Sequence, residues 1–309
     1  MSQLKKKQHY VWRNYLRSWA NGELIWTHLK KQGITKQIGL RDVAHGKSIY
    51  ALIDLTDKEI NFLKKYIEQT SHESVKELNL DFLNIFTLPF KVKAELKQAN
   101  IPAEARSFLE QQARELEVNT MEDAYCRTEE MGFKLMTAVQ SGDFSFLEDQ
   151  ENMFETMLFI CFQYFRTKTM RKAVETSFAD YKAIDFSRLW KIICYCMSTH
   201  IGRMLAFHPH LHFTFQRSDD GLSFLTCDQP VFNLLSDRKD DEGTPTEFEL
   251  YYPLSPKLAL TISIVPKPGN WIETTTVNSD QVDHYNKKVM NYAEEFCFGE
   301  TETILQHYQ

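Results

Sequence analysis

The chain has 309 residues, 43% hydrophobic and 25% charged, with a formal net charge of −6 and a pI near 6.0. This composition fits a soluble globular protein with a sizeable core, as one large unit or two modest ones. It excludes an all-over basic coat for nucleic acid and leaves only local patches to serve that purpose.

Six scattered cysteines (Cys126, Cys161, Cys194, Cys196, Cys227, Cys297) form no CxxC pair and sit mostly in apolar runs. They read as small hydrophobes in a reducing cytoplasm, without a disulfide framework. The opening MSQLKKKQHYVW has no apolar signal-peptide core. No apolar run reaches the ~18 residues of a spanning helix. A cytoplasmic protein with no membrane partner is therefore expected.

After the basic cluster Lys5–Lys7, the run HYVWRNYLRSWA carries an aromatic, partly helical stripe. Asn21-Gly22 marks a turn, LIWTH a strand, and Gly33 and Gly39 bracket a hairpin. Residues 42–50 are a polar connection that ends near a short strand at 49–53. From 56 to 139 the pattern is helical and charged. Ile60, Leu63 and Ile67 recur at helical spacing behind Thr56 as N-cap. Residues 73–90 are ambiguous and end at Pro89. Pro102 starts a helix over 103–118, and another covers 121–140.

The stretch 152–174, NMFETMLFICFQYFRTKTMRKAV, is apolar on nearly every helical face over its first half. Such a helix belongs in a core. It continues, without a predicted break, into Gln163, Arg166, Lys168, Arg171 and Lys172. A second buried helix, 186–207, carries His200 and Arg203. Beyond His208 the period turns to two, with strands expected at 212–217, 223–226, 248–252 and 258–265. An acidic loop at 236–245 (SDRKDDEGTP) is expected to be mobile. A helix over 278–298 closes the chain, capped by Asn278 or Ser279. The expected architecture is α+β: a mainly antiparallel sheet packed against a largely helical middle with two buried central helices. One unit spans 1–309, with a β/aromatic segment to 55, a helical section over 56–207 and a β-rich section over 208–309.

No Walker loop, GxGxxG, HExxH, GxSxG or kinase signature occurs, and 11 glycines leave little for a phosphate-cradling loop. His208, His210 and His212 would share one strand face. No Cys or carboxylate at zinc spacing joins them, so they read as strand-end histidines and no metal site is assigned. Asp228, in FLTCDQPVF, reads either as a site carboxylate at a strand end or as a turn cap. Ser255, between two prolines in YYPLSPK, reads as an aimed hydroxyl or as a local turn. Gln163 and Arg166, three apart on one helix face, either tie buried backbone together or offer a donor fork for phosphate or carboxylate. A buried arginine needs a partner, for which Asp228 is a candidate. His9 reads as a helix-face residue or as a general acid–base near neutral pH.

Taken in order, QHYVWRNYLRSWANGELIW, DVAHGKSIY, FICFQYFRTKTMR, FLTCDQPVF, YYPLSPKLAL and VNSDQVDHYNKKVMNYAEEFCFG resemble a bacterial domain-of-unknown-function family with an HYVP signature, DUF four-two-three-eight. The resemblance spans nearly the whole chain. It departs at Trp12 (usually proline), Cys227 (often serine) and Gln229 (often asparagine), and retains His9, Gln163, Arg166, Asp228, Ser255 and Asn286. No reaction comes with the family. Families of this kind often sit in defence or toxin contexts, which implies an effector nuclease acting on RNA, DNA or nucleotide phosphodiesters. In that reading His9, Arg166 and Asp228 are catalytic: His9 moves a proton, Arg166 stabilises phosphoryl charge and Asp228 orients. Gln163, Ser255 and Asn286 bind substrate. No cofactor is assigned, and no D…ExK pattern in strand context supports a magnesium version. The alternative is a non-enzymatic sensor that binds an anionic ligand, or a protein partner through the charged helices 57–140. A third reading makes the shared polar residues a buried network that fixes the fold.

Overall fold

A computed structural model of the chain describes residues 4–70, 72–219, 221–240, 247–266 and 271–309. Short N-terminal elements come first: β1 (Lys7–His9), α1 (Arg13–Leu16), the hairpin β2 (Leu24–Leu29) and β3 (Ile34–Gly39), and β4 (His45–Lys47). The helical middle follows as α2 (Asp57–Thr70), α3 (Glu73–Gln98), α4 (Ala103–Ser141), α5 (Gln150–Phe165), α6 (Lys168–Ser177) and α7 (Phe186–Ala206). The remainder comprises β5 (Leu211–Ser218), β6 (Thr226–Cys227), β7 (Phe232–Asn233), β8 (Glu249–Ser255), β9 (Leu258–Ile264), β10 (Ile272–Val277), α8 (Ser279–Tyr292), β11 (Phe296–Gly299) and α9 (Glu302–Gln306).

The fold is α+β. One sheet runs β10-β5-β9-β8-β7, antiparallel except for the β10–β5 pair. A second runs β3-β2-β11-β6, so chain end and chain start share a sheet. β1 pairs with β4 alone. The core gathers around α5, where Met157, Phe159, Ile160, Cys161 and Phe162 are all buried. Each such side chain contributes about 1.5–3 kcal/mol by leaving water. Two glycines let other helices close on α5. A Cβ on Gly202 of α7 would lie 3.1 Å from Leu158 Cα, and one on Gly132 of α4 would lie 2.5 Å from the Phe159 ring. No helix among the described residues is long and apolar enough to cross a membrane.

Several expected boundaries move. The helix over 152–174 breaks after Phe165, because Thr167 turns extended (φ −84°, ψ 164°) and its hydroxyl caps α6 by accepting from Met170 N. Helix α3 runs through Pro89 rather than stopping there, since flanking Phe86 and Leu96 bury against the body and outweigh one lost backbone bond. The two helices at 103–118 and 121–140 are one, ended by Gly142 in the left-handed region (φ +74°). Residues 49–53 form no strand; the pairing partner of β1 is 45–47 instead. The strand expected at 223–226 is limited to β6, Thr226–Cys227. The closing helix ends at Tyr292, and 296–299 leave it as β11 because Phe296–Gly299 supply the pairing edge for β2. Asn278 and Gln281 form a reciprocal capping box there. Positions 241–245 of the expected acidic loop lie outside the described residues.

Candidate functional site

Gln163 of α5 and Arg166, the residue that caps its C-terminal end, meet. Arg166 Nη2 donates to Gln163 Oε1 at 2.9 Å, and Nη1 donates to Glu129 Oε1 of α4 at 2.7 Å. Its guanidinium also lies 5.4 Å from the Tyr125 ring centroid. Arg166 is 1% exposed. Burial opposes its charge, but Glu129 and Tyr50 outweigh that and hold it above its ordinary range. Its carboxylate partner is thus Glu129, not Asp228. Arg166 Nε and Gln163 Nε2 meet no hydrogen-bond partner among the described residues. The Arg166 carbonyl accepts from Tyr50 Oη at 3.1 Å.

Asp228 is spent elsewhere. Its two carboxylate oxygens accept the backbone N–H groups of Glu294 and Glu295, both at 2.8 Å, in the connection from α8 to β11. Burial pushes its carboxyl up to about 6, against the downward pull of those amides. Asn286, fully buried on α8, straps residues 223–225: it accepts from Leu225 N at 2.8 Å and donates to Ser223 O at 2.9 Å. Ser255 Oγ accepts from Lys257 N at 3.3 Å across the turn between β8 and β9. Gln229 donates to Tyr164 O and accepts from Thr167 Oγ1, stitching the α5–α6 joint to the strand that precedes it. Lys168 and Lys31 both reach Glu295, at 2.6 and 3.0 Å. The six candidates therefore fall into separate places, with only Gln163 and Arg166 in contact.

His9 stands apart from them on a different wall. It lines an open cleft of about 900 Å³ between the N-terminal segment and α4. Glu122, Cys126 and Glu129, at i, i+4 and i+7, present one face of α4 to it. From the other side come Lys5, Lys6, Lys7, Arg13, Arg17 and Arg41. Lys5 pairs with Asp123, Lys7 with Asp42 and Arg17 with Glu23, each at 2.6 Å. Among the described residues, Lys6, Arg13 and Arg41 meet no carboxylate. Glu129, 19% exposed in its side chain, spans from cleft to buried Arg166.

His9 Nε2 lies 3.3 Å from Arg41 O, and a carbonyl can only accept, so Nε2 carries the proton and Nδ1 is left as the acceptor. Burial drives the ring down to about 4, helped by His45, Arg13 and Lys7. Glu122 moves the other way: burial and the nearby Glu129 lift it to about 7, although Arg166 pulls it down. One Glu122 oxygen has no hydrogen-bond partner among the described residues. Of the histidine trio, His208 and His210 sit in the turn before β5 and His212 is buried. No cluster of three or more metal-ligating side chains occurs among the described residues.

Sequence reasoning missed Glu122, Glu129, Lys6, Arg13 and Arg41. The one available signal was the i, i+4, i+7 stripe on α4, which looks like any charged helix face until the basic segment covers it.

Residues 197–303 match the family model described as Protein of unknown function (DUF4238), the family that the chain's ordered segments resemble. The matched region holds Asp228, Ser255 and Asn286. No curated protein and no solved structure matches the chain.

Proposed function

We propose that this protein binds a phosphate-bearing ligand of nucleotide or short single-strand size in the His9 cleft. One observation carries the reading: a cleft of about 900 Å³ is ringed by six cationic side chains, of which Lys6, Arg13 and Arg41 have no carboxylate partner among the described residues. Unpaired cations around a concave, low-dielectric wall attract anions, and arginines suit phosphate by their planar donor fork. The overall charge of −6 restricts this attraction to the cleft, which suits a small anion better than a long duplex.

A second reading, phosphodiester cleavage by an effector of the defence or toxin type, is favoured by Glu122. Its carboxyl near 7 matches the operating range of a general acid–base group in the same cleft. His9 is the weaker base of the two, since a group at about 4 is neutral at pH 7 but accepts protons poorly. Arg166 and Asp228 do not reach this cleft; they support the reading only by holding Glu129 and the 294–295 backbone.

Adenosine triphosphate and a labelled short single-stranded RNA serve as probes, with polarisation and calorimetry as readouts. The triple variant Lys6→Ala/Arg13→Ala/Arg41→Ala is expected to bind roughly a hundredfold more weakly, from three open-site contacts of ~1 kcal/mol each. Equal affinity of wild type and variant, or no binding by either, sinks the proposal. Product formation by wild type that Glu122→Gln abolishes would add catalysis to binding. Bound but intact RNA leaves a binding module.

A further inference from the structure

A second concavity lies on the α3–α4 helical hairpin and shares the lining residue Asp123 with the basic cleft. On α3, Leu78, Asp81, Ile85 and Leu88 recur at i, i+3, i+7 and i+10 and so form one stripe, all of them exposed. On α4, Leu109, Leu116, Thr120 and Arg127 form the facing stripe. Between the stripes opens a groove of about 480 Å³. Its floor is aromatic: Phe82 and Tyr195 stack with centroids 3.6 Å apart, and Phe162 of α5 lies beneath.

Its rim is apolar side chain left in water, with Leu78 at 45%, Ile85 at 47% and Leu116 at 40% exposed. Contiguous apolar surface around a groove marks an interaction face rather than ordinary surface. Three charged side chains line the groove, Asp81 on α3 and Asp123 and Arg127 on α4; Asp123 is taken by Lys5, while Asp81 and Arg127 form no ion pair among the described residues. An acid and a base that are both unpaired, on two antiparallel helices, make the face complementary to itself. A two-fold axis through the groove brings Asp81 of one copy to Arg127 of the other, twice. The repeats of seven, 78 to 85 and 109 to 116, are those with which paired helices interdigitate. An isologous contact uses the same patch on both copies, as this face allows.

We infer that the α3–α4 hairpin is the interface of a homodimer, with the Leu78–Ile85–Leu88 ridge of one copy seated in the groove of its partner and Asp81–Arg127 pairs closing both ends. The basic cleft lies on the face of α4 that carries Glu122, Cys126 and Glu129, so pairing through Leu116 and Arg127 leaves it open.

Sedimentation equilibrium of the full chain over a hundredfold concentration range tests this. The expected mass is twice the 36.3 kDa of one chain, returning to 36.3 kDa for Ile85→Glu and for Leu116→Glu. Asp81→Arg and Arg127→Asp each weaken association, by about tenfold for a desolvated charge pair, and the double exchange restores it. All four positions are exposed, so the folded monomer and its circular dichroism spectrum stay as in wild type, while the melting temperature loses the dimer's concentration-dependent contribution. A wild-type mass of 36.3 kDa at every concentration overturns the inference. So does a dimer that survives both glutamate variants, or a double exchange no tighter than its single parents.

Discussion

Replacing Glu129 by alanine strips the bonded carboxylate from a fully buried guanidinium. Arg166 then keeps the 2.9 Å bond to Gln163 and the Tyr125 ring, while Nη1 joins Nε without a partner. Breaking one side of a buried ion pair costs about 3–5 kcal/mol, because the remaining charge stays desolvated. Glu129 is 19% exposed, so water can follow the truncation from the cleft, which sets the expected loss at the low end, about 3 kcal/mol. Arg166→Met is milder, at about 2 kcal/mol: the thioether fills the cavity, and the stranded Glu129 can turn towards the cleft and hydrate. Glu129→Gln keeps an acceptor and costs about 1–2 kcal/mol. Urea titration followed by tryptophan fluorescence and circular dichroism reads the order, and Glu129→Ala should melt roughly 4–6 °C lower. A loss below about 1 kcal/mol for Glu129→Ala, or an Arg166→Met variant less stable than it, would refute this account of the joint.

Glu122 gives stability a pH slope. Its folded value of about 7 is raised above the ordinary 4.5, so its contribution is fully present below pH 4.5 and lost as pH climbs through 7. Glu122→Gln should gain about 2 kcal/mol on wild type between pH 5 and pH 8, and parallel urea midpoints across that range would contradict this. His9 acts oppositely: lowered from 6.5 to about 4, it weakens the fold as pH falls through that window, and His9→Ala should flatten the acid limb of the same profile. Gly132→Ala trades about 1 kcal/mol of helix propensity for a Cβ 2.5 Å from Phe159, so thermal melts should show net destabilisation by about 1–3 kcal/mol. Asn286→Ala orphans the buried Leu225 N–H and Ser223 carbonyl, at a cost of about 2–3 kcal/mol in the same melts. Cys126, half-buried in the cleft, should be the first thiol labelled by maleimide, and bound triphosphate should slow it; labelling of Cys161 or Cys194 at the same rate would mean the helical core opens readily.

Local chemistry made much of this chain legible from its residues. The apolar run from Met153 to Phe162 had to be a buried helix. The 3.6-residue period of 186–206 and the Asn278/Gln281 box set α7 and the start of α8. Gln163 and Arg166 had to share a face, and they bond to each other. Tertiary context decided the remaining boundaries. Pro89 stays inside α3 because packing repays a lost bond, and 296–299 leave the helical pattern because β2 offers an edge. The partners of the polar residues could not be read in advance. Glu129 is 37 positions from Arg166, and no pattern in the sequence separates it from Glu130 beside it. His9, Arg166 and Asp228 read alike as candidates, yet one faces a cleft, one is sealed against α4 and one holds two backbone amides. Periodicity acts through neighbours a turn apart and is written in the chain itself. The charge around a carboxylate depends on which distant segment folds over it, and only the folded chain determines that.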